Sequence, residues 1–152
     1  MQDFVHLHVH TQYSILDGQA SVSKLVDKAI GNGMRGIAIT DHGNMFGVKE
    51  FFNYVNKKNS GTNGEIKTLK KKIAAIEKGE VECEDKDAEL SACKAQLEEA
   101  KKKLFKPIIG CEMYVARRRL QDKDGKQDQS GYHLIVLAKN EKGYHNLIKL
   151  VS

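Results

Sequence analysis

Three features predict an α/β chain built on a parallel sheet or barrel, with a helical hairpin set into it. Short apolar strands alternate with helical segments, polar residues gather where those strands end, and one lysine- and glutamate-rich stretch interrupts the order. At 152 residues the chain is long enough for a domain with a real core and too short for an enzyme of several domains.

The first element is a strand over Phe4–His10. Val5, Leu7 and Val9 alternate with His6, His8 and His10, which gives one apolar and one histidine-lined face. A loop with Ser14, Asp17 and Gly18 follows. Val22, Leu25, Val26 and Ala29 then recur at helical spacing until Gly31-Asn32-Gly33 closes the segment. Gly36–Thr40 (GIAIT) is a short apolar strand that delivers Asp41, His42, Gly43 and Asn44 at its carboxyl end. A helix around Val48–Val55, strands over Lys106–Val115 and His133–Ala138, and a last helix from about Lys142 complete the order. In parallel sheets and barrels the chemistry sits at the carboxyl ends of the strands, where these polar residues fall.

Residues 59–104 differ in character. After Ser-Gly-Thr-Asn-Gly the stretch is free of aromatics and proline. Ile66, Leu69, Ile73 and Ile76, and then Leu90, Cys93, Leu97, Ala100 and Leu104, repeat at three- and four-residue steps on either side of a break at Gly79–Asp87. The spacing predicts an inserted hairpin of two helices zipped by one narrow apolar seam. Its ends can lie close together, so the surrounding fold is expected to tolerate it.

The formal charge is +5, but Lys57–Lys106 holds thirteen lysines against ten acidic residues, so +3 of that excess lies in one segment. Lysine and glutamate interleaved at helical spacing read as a solvated face rather than a nucleic-acid arm, since no aromatic is present to stack on bases. There is no apolar run long enough to span a membrane and no basic-then-apolar start, so a cytoplasmic protein is expected. Cys83, Cys93 and Cys111 lack CxxC spacing and read as reduced thiols.

His8 and His10 are two residues apart, so on a strand both imidazoles leave one face about 6–7 Å apart and can reach one centre. Asp17 follows in the first loop, His42 ends the second strand, Glu112 lies in the third, and His133 opens the fourth. Residues so placed converge at the mouth of a barrel. Mixed imidazole and carboxylate donors suit zinc, manganese or iron better than magnesium. His6 reads as a structural neighbour, His145 as a surface histidine on the last helix, and Cys111 as a packed thiol. Arg117, Arg118 and Arg119 read as a solvated turn before a phosphate contact.

Taken in order, HLHVHTQYSILDG, ITDHGNMFG, KPIIGCEMYV and HLIVLAKNEKGYHNLIKL resemble the successive opening motifs of the polymerase-and-histidinol-phosphatase (PHP) domain. The likeness covers nearly all of the chain outside the 59–104 stretch. The YS-x-LDG and GNMFG details are similar to the branch found at the amino terminus of bacterial replicative DNA polymerases, rather than to stand-alone phosphatases.

The resemblance implies a distorted seven-stranded β/α barrel, with residues 1–58 and 105–152 forming its amino-terminal part. It implies that His8, His10, Asp17, His42, Glu112 and His133 hold divalent metal ions, zinc or manganese and up to three in the complete domain. Asp41 is then expected to orient a ligand imidazole. The family's later ligands, a histidine and an Asp-x-His, have no counterpart before Ser152. The chain alone is therefore expected to hold an incomplete barrel, to be inactive, and to self-associate through exposed strand edges.

For the parent protein the resemblance implies a DNA-directed DNA polymerase that uses magnesium, contacts DNA and works with other replicase subunits. Its PHP site would be a metal-dependent phosphoesterase acting as a 3′–5′ exonuclease. Two other readings compete: a non-catalytic platform that braces the polymerase and binds a subunit, and a stand-alone phosphatase for a compound like histidinol phosphate. Competent residues at every early ligand position disfavour the first, and the polymerase-like motifs disfavour the second.

Overall fold

A computed structural model describes residues 4–81, 85–119, 121–128 and 131–152. Two compact units form, one from Met1–Tyr54 with Lys106–Ser152 and one from Val55–Phe105. The elements in chain order are α1 (Val22–Gly31), β1 (Gly36–Ile39), α2 (Val48–Lys58), α3 (Ser60–Lys78), α4 (Lys86–Lys103), β2 (Lys106–Val115), β3 (Tyr132–Leu137) and α5 (Glu141–Val151).

In the first unit the described strands make one mixed sheet in the order β1-β2-β3. β1 runs parallel to β2 from Gly36 opposite Lys106 to Ile39 opposite Ile109. Its residues are buried throughout, as a continuous apolar run in a covered strand should be. α1 packs on β1 through its Val22, Val26 and Ala29 stripe, and α5 packs on β2 and buries Leu147.

Two expectations change. β2 and β3 pair antiparallel, from Gly110 opposite Leu137 to Val115 opposite Tyr132. A parallel return needs a crossover, usually a helix. The described residues of the 116–131 connection form only turns and bends, tied by a forked ion pair from Arg118 to Asp128. The fold is therefore mixed α/β rather than a purely parallel sheet.

Phe4–His10 lies beside β1 without becoming a ladder strand. Ala38 N–H donates to His6 O (2.9 Å) and Thr40 N–H to Val9 O (2.8 Å), so four residues on one side, 6–9, face three on the other, 38–40. The Thr40 hydroxyl accepts the Val9 N–H (2.9 Å), a place a ladder would give to a backbone carbonyl. The strict alternation slips accordingly, and Leu7, assigned to the apolar face, is exposed.

The second unit is a helical hairpin. α3 stops at Gly79, whose φ of 75° lets Glu80 N–H return to Ala75 O (2.9 Å). α4 starts at Asp85, whose side chain accepts the Ala88 N–H (3.0 Å), with Asp87 and Glu89 in its first turn and Lys101–Lys103 in its last. Ile73, Ile76 and Cys93 form the buried seam, with Leu90 and Leu97 against it. Lys72–Glu89 (2.7 Å) and Lys94–Glu77 (3.2 Å) bridge its exposed flanks. Asn59 closes the base, donating to Phe105 O (2.8 Å) and accepting the Phe105 N–H (3.0 Å). Cys83, within the break, lies outside the described residues.

Candidate metal centre

The parallel pairing of β1 with β2 continues past β1 as a bridge between His42 and Glu112. Glu112 N–H donates to Asp41 O (3.0 Å) and Gly43 N–H to Glu112 O (2.9 Å), so the backbone sets residue 42 beside residue 112. Across the antiparallel pair, Glu112 faces Ile135 and Tyr114 faces His133. With a period of two along β2, Glu112, Tyr114 and the opposed His133 share one face of the sheet.

The segment before α1 brings the remaining donors. The Nε2 atoms of His8 and His10 stand 3.2 Å apart and both meet Glu112 Oε2, at 2.9 and 2.6 Å. His133 Nδ1 meets Glu112 Oε1 at 2.5 Å. His42 Nε2 meets Asp17 Oδ2 at 2.6 Å, while its Nδ1 lies 3.6 Å from Glu112 Oε2. The loop carrying Asp17 closes tightly: a Cβ on Gly18 would come within 2.0 Å of Thr11 O. Leu16 adopts a φ of 77° while wholly exposed, which is local backbone strain beside a functional side chain.

All six residues expected at the site come together. Their donor atoms form three overlapping triads, His8–His10–Glu112, His10–Asp17–His42 and His42–Glu112–His133, with the atoms of each within 4.8 Å of one another. Four imidazoles and two carboxylates converging in this way fit a divalent ion.

Glu112 is 2% exposed. Burial alone would raise its pKa, but hydrogen bonds from His8, His10 and His133 and the charge of His42 outweigh that and hold it at about 2. Burial raises the neighbouring Cys111 thiol, which rests against Asp41 O (3.3 Å) and is a packed rather than reactive group.

Asp41 takes a different part from the one expected. Its buried carboxylate accepts the Thr11 N–H (2.7 Å), the Thr11 hydroxyl (2.9 Å) and the Ser14 hydroxyl (2.7 Å), and the Ser14 oxygen accepts the His42 N–H (3.1 Å). It braces the loop and the backbone of His42 instead of an imidazole. Outside the six donors, Tyr114 touches a site imidazole: its hydroxyl lies 3.1 Å from His42 Nδ1. Sequence reading passed over it, although its place two residues after Glu112 on a strand puts it on the site's face.

Among the other candidates, His6 packs edge-on against Phe4 and belongs to none of the described triads. His145 is exposed, 3.9 Å from Glu141. Arg117 lies over the Tyr132 ring at 5.2 Å. No described helix is long and apolar enough to cross a membrane.

Fold and site together define an α/β chain with an imidazole and carboxylate cluster suited to divalent metal ions. The chain belongs to the PHP domain family, whose model matches residues 6–152. It is similar to the DNA polymerase III subunit alpha of Borreliella burgdorferi (38% identical over 153 residues) and of Treponema pallidum (37% over 150). That of Aquifex aeolicus is 32% identical over 155 residues. Each alignment covers 98% of this chain and 9 or 10% of the relative, so the chain spans about a tenth of these relatives' length.

Proposed function

We propose that this chain is the amino-terminal PHP region of a bacterial replicative DNA polymerase, DNA polymerase III subunit alpha, and that its cluster is a metal-dependent phosphoesterase site. The observation that carries the reading is the convergence of His8, His10, Asp17, His42, Glu112 and His133 into three overlapping triads. In this reading the three strands belong to a seven-stranded PHP barrel, and the 59–104 stretch is a hairpin inserted into it. The substrate is the 3′ end of a DNA strand, which makes the site a 3′–5′ exonuclease beside a magnesium-dependent polymerase activity elsewhere in the parent. DNA and other replicase subunits are its partners, and the cytoplasm its compartment.

Bound divalent ions would supply an activated water and neutralise charge on the phosphoryl oxygens. The chain's own part is to hold the donors. Glu112 gathers three imidazoles around one buried carboxylate, and Asp17 fixes the far nitrogen of His42. The Asp41–Thr11–Ser14 network keeps the loop that carries Asp17 closed.

The test is elemental analysis after dialysis against limiting zinc and manganese, beside a His8→Ala/His10→Ala variant. Stoichiometric metal in the parent chain that is lost in the variant is expected, and exonuclease assays on the polymerase follow from it. Absence of metal from both would leave two readings, that later strands of the domain complete the site or that the domain is a non-catalytic platform, and the same analysis on the complete domain separates them. β3 ends the described sheet with Tyr132 and Leu134 exposed, which supports pairing with a second copy. Light scattering on a size-exclusion column should then give a dimer or larger species, and a clean monomer would sink that part.

A further inference from the structure

We propose that Tyr114 is a positioning residue for His42, holding the imidazole with Nε2 turned toward Asp17 in the ion-free and metal-loaded states alike; this rests on the metal-site reading above. The geometry is specific. The Tyr114 hydroxyl lies 3.1 Å from His42 Nδ1, and the two rings are nearly parallel, 13° apart with centroids at 5.7 Å. Its other neighbour is His133, packed edge-on at 4.7 Å. At the opposite side of the His42 ring, Nε2 meets Asp17 at 2.6 Å. The imidazole is therefore pinned at both nitrogens.

The tautomer of His42 sets which way the Tyr114 hydrogen bond runs. With the Nε2–H tautomer of His42, Nε2 donates to the Asp17 carboxylate and Nδ1 accepts from the tyrosine O–H. An ion held at Nε2 would require the Nδ1–H tautomer, whose N–H the phenol oxygen can accept. A hydroxyl serves both states because it donates and accepts, whereas an ionised carboxylate only accepts.

Alternative partners for Nδ1 are already engaged. Glu112 Oε2 is 3.6 Å away, beyond hydrogen-bond reach, and takes bonds from His8 and His10. Asp41 is occupied by Thr11 and Ser14. Metal-binding histidines almost always need such a partner on their second nitrogen, and its loss typically weakens metal affinity about 10- to 100-fold.

The experiment titrates Co2+ into the chain, Tyr114→Phe and Tyr132→Phe, following the ligand-field absorption and the affinity it reports. Tyr132→Phe removes a hydroxyl from the neighbouring strand outside the triads. The expected result is about 10- to 100-fold weaker binding and a displaced band in Tyr114→Phe, with Tyr132→Phe matching the parent. A Tyr114→Phe titration that overlays the parent in affinity and band overturns the positioning role while leaving the metal site intact. A parent chain that develops no band overturns the metal-site reading and this inference with it. The 15N resonance of His42 Nδ1 in the ion-free chain gives a second reading: it should move in Tyr114→Phe, and an unmoved resonance overturns the proposal.

Discussion

The carboxylate of Glu112 is almost fully buried, yet hydrogen bonds from three imidazoles offset its desolvation. Its pKa falls from an ordinary 4.5 to about 2, so the folded chain favours the ionised form. The stabilisation this represents is fully present above about pH 4.5 and is lost as pH falls toward about 2. With chelator present, the urea midpoint of the parent should exceed that of Glu112→Gln at pH 5, and the gap should close on acidification through that window. A gap constant with pH would mean that the carboxylate's charge does not contribute. At this scale the sequence was legible where a side chain could be named by type, as with the six donors. It was not legible for Asp41 and Tyr114, whose parts depend on which polar group lies nearest in space: Thr11 and Ser14 reach Asp41 first, and Tyr114 reaches His42.

Among the elements, the hairpin was the most legible, because its signal is a local period that the helix itself imposes. Ile66, Ile73, Ile76, Cys93 and Ala100 sit on the predicted seam and are buried, and Leu69 on the same rule is half-buried. Ile76 is wholly buried within it, so Ile76→Ala should cost about 2–5 kcal/mol, and Leu69→Ala clearly less. Hydrogen exchange of the α3 and α4 amides reads this directly, and equal losses in the two variants would contradict a single narrow seam. Phe4–His10 and the β2–β3 pair were less legible for opposite reasons. The first has a strand's alternation but meets Thr40, whose hydroxyl replaces a ladder carbonyl and breaks the register. The second carries no local mark of strand direction, which is set by the 116–131 connection, whose described residues hold no helix, and its Arg118–Asp128 tie.

At the scale of the whole molecule, the two units differ in what a metal ion would do to them. Among the described residues, the donors come from the segment before α1, the end of β1, β2 and β3, all in the first unit, and none from Val55–Phe105. An ion bound only by the folded state stabilises it by mass action, about 2.7 kcal/mol at a concentration a hundredfold above Kd. That stabilisation should be concentrated in the segments that must stay folded for the donors to meet. Hydrogen exchange with and without zinc should therefore show added protection at residues 6–18, 38–44, 110–114 and 133–137, reversed by chelator, with α3 and α4 unchanged. Protection that rose equally through α3 and α4 would mean that the chain opens as a single unit, and that its division into two bodies carries no thermodynamic weight. Protection unchanged everywhere at saturating zinc would mean that the donors meet without holding an ion, leaving the cluster as a hydrogen-bonded brace for the sheet.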